Sequence, residues 1–309
     1  DLSEIHFNWF AKQVECGKCA PSADTFRRVT CAIDPKALNK VLETWLIQKG
    51  LEHKPGRKIA FDGKALRGSK SVYTLNAYAP EEHLFITHTD VDKKENEISA
   101  FPDLIECLNL EDSICTGDAM FTQRSIVDLL REKKADYVFA LKGNQRSLFE
   151  LVQNELSADF RRTQVYKEVD KSRGYVEERI IYISSKINKI DPNNKWQGLK
   201  SMIRVFCKRS KGEEFSVENR YFISSLEASP EDFAAIIRGH WGIENGLHRT
   251  LDIHFKEDSS QVRDKFGAIN LSLFRKFAGN ILRRLDPKRT LKSKMRRMLA
   301  DEIFRDRFI

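Results

Sequence analysis

Lys58-Ile59-Ala60-Phe61-Asp62-Gly63 opens the stretch on which the fold turns. A short run of strand-forming residues ends on an acid, and a glycine follows at once. Two more runs of strand character come directly after, over residues 72–79 and 83–90, joined by the turn Pro80-Glu81-Glu82. Three such runs in succession predict a three-stranded meander.

Working outward, the pattern becomes an alternation. Residues 96–108 read as a helix around a start at Pro102. Residues 113–118 form a short strand that again ends on an acid, Asp118. A helix carrying Ile126, Val127, Leu129 and Leu130 follows. Residues 137–141 are a further strand, closed by Lys142-Gly143-Asn144-Gln145, and a helix with Leu148, Leu151, Val152 and Leu156 comes next. The order β-β-β-α-β-α-β-α predicts an α/β chain with a ribonuclease-H-like core, a mixed sheet flanked by helices.

Before the first strand, residues 22–50 read as two helices. Ser22 or Asp24 caps the first, which carries Phe26 and Val29. Asp34-Pro35 opens the second, Gly50 closes it, and Leu38, Val41, Leu42, Trp45 and Leu46 are its buried stripe. After the core, residues 165–169, 175–184, 199–209 and 215–224 read as strands of a β insertion. The expected divisions are a helical N-terminal region (1–55), the first part of the core (56–160), a β-rich insertion (161–228) and a C-terminal helical part of the core (229–309). That last part ends in a basic tail, with eight Lys/Arg against the single acid Asp286 between Arg283 and Arg297. The tail fits DNA or a solvated helix face equally.

The chain has 309 residues, 41% hydrophobic and 32% charged. No apolar run approaches the ~18–20 residues of a membrane span. Asp1-Leu2-Ser3-Glu4 is too polar for a signal peptide, and a chain opening on Asp1 is expected to lack its true N-terminus. The net charge of +8 and pI near 9.1 favour a polyanionic partner such as nucleic acid. Six cysteines are too few for a disulfide scaffold and fit a reducing, cytoplasmic setting. Cys16-Gly17-Lys18-Cys19 is half of a zinc pattern without its second half; Cys31 and His53 are stray candidates, and two free thiols are the simpler reading.

A third acid lies in the helical stretch Ser229-Pro230-Glu231-Asp232-Phe233 through Arg238-Gly239-His240-Trp241-Gly242-Ile243-Glu244-Asn245-Gly246-Leu247-His248. Ser229 suits the N-cap and Pro230 the first helical position. Phe233, Ile237, Trp241, Glu244, His248 and Leu251 fall at helical spacing on one face, and Trp241 reads as core. A carboxylate in that stripe needs compensation. One account is an ion pair with Arg238, His248 or Arg249. The other is that it meets Asp62 and Asp118, which end strands where α/β sheets bind ligands. Each of those is followed by a small residue, Gly63 or Ala119, which leaves room for a ligand. A lone strand-end Asp is more often a turn former. Three acids together suit a pair of Mg²⁺ or Mn²⁺ ions acting on a phosphodiester. Lys64, Arg67 and Lys70 after the first acid, and Lys142, Asn144 and Gln145 near the second, fit a DNA path. Any one of these lysines taken singly is more often a solvated surface charge.

Five ordered motifs carry a resemblance over most of the chain. They are Pro21 to Val29 with Asp34-Pro35 and Trp45; Ile59 to Ser69 around Asp62; Thr116-Gly117-Asp118-Ala119-Met120-Phe121-Thr122-Gln123; Asp136-Tyr137-Val138 through Lys142-Gly143-Asn144-Gln145; and Arg238 to His248 followed by Leu251-Asp252-Ile253, Phe255 and Glu257-Asp258. In these the chain resembles the ISAs1-type (H-repeat-associated) transposases of the DDE group, related to the IS4 group. The resemblance implies a catalytic and metal-binding triad of Asp62, Asp118 and Glu244 with two divalent ions. It implies DNA contacts from Lys64, Arg67, Lys142, Asn144, Gln145, Arg238, His248 and Arg249. It implies cleavage and strand transfer at transposon ends by a homodimer on double-stranded DNA, in the bacterial cytoplasm at the nucleoid. The chain departs from the pattern at Arg173-Gly174-Tyr175, which opens the insertion, and at Arg249. Ile237, His240 and Leu251 stand where the broader group has Tyr, Arg and Lys. Two alternatives stay open: a domesticated or inactive derivative that only binds DNA, and a metal-dependent nuclease without strand transfer.

Overall fold

The computed structural model describes residues 6–13, 19–51, 53–69, 72–91, 97–158, 164–172 and 174–307. Cys16 and Arg173, singled out above, lie outside them, as does Lys70; Cys19 is an exposed thiol.

Three helices come first: α1 (Phe7–Gln13), α2 (Ala23–Ala32) and α3 (Pro35–Gln48). Ser22 and Asp34 cap the latter two through their side chains, as the sequence predicts. The meander follows as β1 (Lys58–Leu66), β2 (Val72–Ala79) and β3 (Leu84–Val91). The alternation is α4 (Glu97–Glu106), β4 (Ile114–Gly117), α5 (Arg124–Glu132), β5 (Asp136–Leu141) and α6 (Arg146–Ala158). Then come β6 (Gln164–Ser172), β7 (Tyr175–Ser184), β8 (Ser201–Lys211) and β9 (Glu214–Ser224). The chain closes with α7 (Pro230–His240), a π-helical segment (Ile243–His248), α8 (Arg249–Ile253), α9 (Lys265–Arg284), α10 (Leu291–Ala300) and α11 (Glu302–Asp306).

One mixed sheet runs through the described residues in the order β3-β2-β1-β4-β5-β9-β8-β7-β6. The meander is antiparallel, β1-β4-β5 is parallel, and β9 returns antiparallel along β5 with Val138 opposite Ser224. The strands beyond residue 161 therefore extend the core sheet itself. Helix α4 begins at Glu97 rather than at Pro102, which sits inside it. The backbone bond that the proline forgoes is offset by burial of Phe101, Leu104 and Ile105.

Alternation along β1 decides what faces where. Ile59 and Phe61 point into a core built with α4, α5 and α6, among Phe101, Val127, Tyr137, Phe139 and Val152. Ala60 points the other way, toward Ile243, Leu247, Leu251, Leu273 and Phe277. Asp62 and Lys64 have the parity of Ala60, so they share the face covered by the Glu244 segment and α9. Helix α7 covers Val138, Ile181, Ile183 and Val205 next to it. No helix among the described residues is long and apolar enough to cross a membrane.

The Glu244 stretch differs from the expected single helix. Its buried stripe is Phe233, Ile236, Ile243, Leu247 and Leu251: the two ends are as read in the sequence, but Ile236, Ile243 and Leu247 replace Ile237, Glu244 and His248, one position on. Glycines explain the rotation. A Cβ at Gly242 would stand 2.7 Å from the Pro80 ring, and one at Gly246 would stand 2.7 Å from the Tyr78 hydroxyl. That close approach to β2 turns Ile243 and Leu247 inward. Trp241 is thereby left 40% exposed, not in the core, and Glu244 faces solvent.

Candidate active site

Asp62 sits in the middle of β1, not at its end as the sequence reading expects: the strand runs on to Leu66 because residues 62–66 stay paired with β2, and only the parallel pairing with β4 stops, at Phe61. Its carboxylate accepts from the Gly63 backbone N–H at 2.9 Å. Burial is the largest influence on it. His240 opposes that effect, while Asp118, Glu244 and Glu97 add repulsion, and its carboxyl is pushed up to about 7. Asp118 follows β4 and is half-exposed at 57%. His240, whose Nε2 lies 3.8 Å from Asp118 Oδ1, holds that carboxyl below its ordinary value. The two aspartates thus differ in charge state near neutral pH. Asp118 and Glu244 line one cleft of about 480 Å³, together with Thr116, Lys142, Arg220 and His240.

Two side chains to which the sequence reading gave no role in the site, His240 and Glu97, shape this centre. His240 is fixed by a 3.0 Å hydrogen bond between its Nδ1 and Thr116 Oγ1, and it projects from the last turn of α7. Glu97 is buried at the start of α4. A Cβ on Gly63 would lie 2.2 Å from Glu97 Oε1. The space beside Asp62 is therefore filled by a fourth carboxylate, not left open for a ligand. A glutamate in the first turn of a helix is too common to stand out in a sequence.

The expected DNA contacts divide. Lys142 and Arg249 are exposed, and Lys142 lines the cleft. Arg67 is exposed, with Asp258 at 3.7 Å. Arg238 is exposed and pairs with Glu168. Lys64 is turned away from solvent. It is buried, with Asp252 at 2.7 Å, Asp258 at 3.6 Å and Glu257 at 3.8 Å. The parity that turns Asp62 inward turns Lys64 inward too. Asn144 and Gln145 use their side-chain amides on the loop after Asp118, donating to Ala119 O at 2.7 Å and Thr122 O at 3.0 Å. They hold that loop. His248 lies against Asp62, Nδ1 to Oδ2 3.6 Å, and is 14% exposed. Burial, with Lys64 and Lys276 nearby, pulls it down to about 3, so it is neutral and makes no ion pair. Arg220, also missed, stacks on the Trp241 ring at 4.7 Å in the cleft. Arg283, read as part of the basic tail, instead braces the π segment by donating to Gly246 O and Thr250 Oγ1, both at 2.7 Å.

The donor set fits hard divalent cations: oxygen ligands only, carrying charge that repels itself. Among the described residues no three of these groups already stand at coordinating distance. An ion would have to draw the acids together.

The family profile described as "Transposase DDE domain" matches residues 48–281. The chain is 32% identical over 297 residues to "putative transposase YncI" of Escherichia coli O157:H7, covering 92% of this chain and 76% of that one. It is 30% identical over 321 residues to "H repeat-associated putative transposase YhhI" of E. coli K12, covering 97% and 84%. Among solved structures, the cryo-EM structure of piggyBac transposase synaptic complex with hairpin DNA aligns with a TM-score of 0.47 and 14% identity; the match covers 97% of this chain and 63% of that one. With the profile spanning most of the chain, and relatives matching nearly its whole length, the protein belongs to the transposase DDE domain family.

Proposed function

We propose that the protein is an active DDE transposase that cuts double-stranded DNA at transposon ends and joins the freed ends to a target. Asp62, Asp118 and Glu244 would hold two divalent ions, Mg²⁺ or Mn²⁺. Bound there, the ions would supply activation of the attacking oxygen and charge neutralisation at the scissile phosphate. The rest falls to the chain. Asp62, whose carboxyl is raised, would have to give up its proton to hold an ion. His240 keeps Asp118 ionised. Lys142 would offer the cleft's cation to the phosphate backbone, since Arg220 is engaged by Glu218 at 2.8 Å through two of its nitrogens. The 3′-hydroxyl left by cleavage is the nucleophile for joining, so no side chain need bond to DNA. Two ends must be held together for this, which calls for a homodimer.

The observation that supports the reading is the neighbourhood of acids from three distant segments, β1, the end of β4 and the π segment: Asp118 and Glu244 line one cleft, and both add repulsion at the Asp62 carboxylate. Its test uses end-sequence DNA, Mg²⁺ and the Asp118→Ala and Glu244→Ala variants. Metal-dependent nicking and end joining that either substitution abolishes is expected. Sequence-specific binding without nicking would leave a non-catalytic derivative, and nicking without joining a nuclease.

A further inference from the structure

The Glu244 segment borders a second concavity on its other side. It measures about 740 Å³ and is lined by Lys54, Arg284, Arg289 and Lys294, with Asn245 and Gly246 on its wall. The lining has a single acid, Glu82, and that acid is engaged by Arg57 at 2.7 and 3.0 Å. Lys54 lies on the stretch before β1 and is exposed, as are Arg284 and Arg289. Among the described residues neither Lys54 nor Arg284 is ion-paired. Arg284 makes one long bond, to Asn280 O at 3.4 Å. Arg289 spends its Nε on Asp286 at 2.8 Å, which leaves the outer nitrogens of its fork.

We propose that this basin is a duplex-DNA backbone subsite, formed by Lys54, Arg284 and Arg289, that grips the double helix beside the reacting phosphate. The inference rests on the reading of the protein as a DNA-cutting enzyme and extends it. Three features support it. The basin is far wider than one phosphate needs. Its cations come from three separate places, the stretch before β1, the end of α9 and the turn before α10, which suits successive phosphates rather than a small anion. Its wall, Asn245 and Gly246, follows directly on Glu244, so a duplex lying across Glu244 continues into it. Lys142 and Arg220 lie in the cleft with Asp118, Glu218 and Glu244, and the cleft and the basin share the Glu244 segment as their common border. Burial already holds the Arg284 guanidinium below its ordinary value, and an anion alongside would reverse that.

The test is fluorescence anisotropy with a labelled random-sequence duplex across a KCl series, without divalent metal, so that no step of catalysis enters. Every phosphate that is no longer neutralised should flatten the log K against log[salt] slope by about 0.9. The variant Lys54→Ala/Arg284→Ala/Arg289→Ala should lower the slope by about 2–3 and weaken binding about ten-fold or more at low salt. The control Lys189→Ala/Lys195→Ala/Lys200→Ala removes the same charge from the loop between β7 and β8 and should bind nearly as wild type. If the triple variant does not fold, Lys54→Glu alone should still flatten the slope. Wild-type slope and affinity in the basin variants, or an equal loss in the control, would overturn the subsite while leaving the enzyme reading in place. A wild-type protein with no salt-sensitive duplex binding would overturn both.

Discussion

Lys64 Nζ lies 2.7 Å from Asp252 Oδ1, and this ion pair joins the strand that carries Asp62 to the helix that follows Glu244. Lys64 is also the near counter-charge for Glu257, whose two carboxylate oxygens are buried without hydrogen-bond partners among the described residues. Removing one partner of a buried pair leaves the other charge uncompensated, at a cost of about 3–5 kcal/mol. Lys64→Met should therefore lose about that much stability in urea unfolding, and Asp252→Asn less, because Asp252 is one-third exposed. A surface lysine that merely touched DNA would change stability by no more than about 0.5 kcal/mol.

Gly63→Ala places a methyl 2.2 Å from Glu97 Oε1. Both atoms belong to packed elements, so the carboxylate must leave its position. A loss of about 1–3 kcal/mol is expected by thermal melting. Pairing the change with Glu97→Ala, which vacates the space, should recover part of it. No recovery in the double variant would mean that the strand itself, not Glu97, resists the methyl.

Asp62 gives a pH dependence whose sign is fixed by its shift. Its carboxyl ordinarily ionises near 3.8 and here near 7. Between those values the folded protein holds a proton that the unfolded chain has lost. The stability this supplies is fully present below the lower value and disappears as pH rises through the upper one. Metal-free melts should fall over that window, and Asp62→Asn should remove this part of the fall. Because an ion competes with the same proton, stabilisation by Mg²⁺ or Mn²⁺ should be small at about pH 5 and grow through neutrality. Metal stabilisation that is flat with pH would contradict the assignment.

Arg283 donates to Gly246 O and Thr250 Oγ1 and holds the π segment in place. Arg283→Gln should lower the catalytic rate more than it weakens DNA binding, since it loosens Glu244 and, although Arg283 also lines the basic basin, leaves Lys54, Arg284 and Arg289 in place there. Rate constants and anisotropy on the same DNA would separate the two effects.

Much of this was legible in the sequence because strands and caps are local. The acid that follows Ile114-Cys115-Thr116-Gly117 and the strands over residues 175–184 and 215–224 could be read from residue type and alternation, whereas Asp62 lies in mid-strand because β2 continues to pair with residues 62–66. What was not legible depends on contacts between distant segments. Helical spacing allowed two apolar stripes around Glu244, and only the approach of Gly242 and Gly246 to β2 selects the one that leaves Trp241 and Glu244 outside. Gly63 signalled missing bulk but not what fills it, because Glu97 arrives from another element. Lys64 and Lys142 look alike as basic residues near an acid; one is buried among carboxylates and the other lines the cleft, and strand parity distinguished them only once the layers were known.

The central claim is that Asp62, Asp118 and Glu244 share one metal centre. Iron-directed backbone cleavage tests it most directly: Fe²⁺ replaces Mg²⁺, ascorbate and peroxide are added, and the cut sites are mapped by mass spectrometry. Cuts beside all three residues are predicted, suppressed by excess Mg²⁺ and lost together in Asp62→Asn. Cuts confined to one or two of the three segments, or cuts that persist when Asp62 is neutralised, would contradict it.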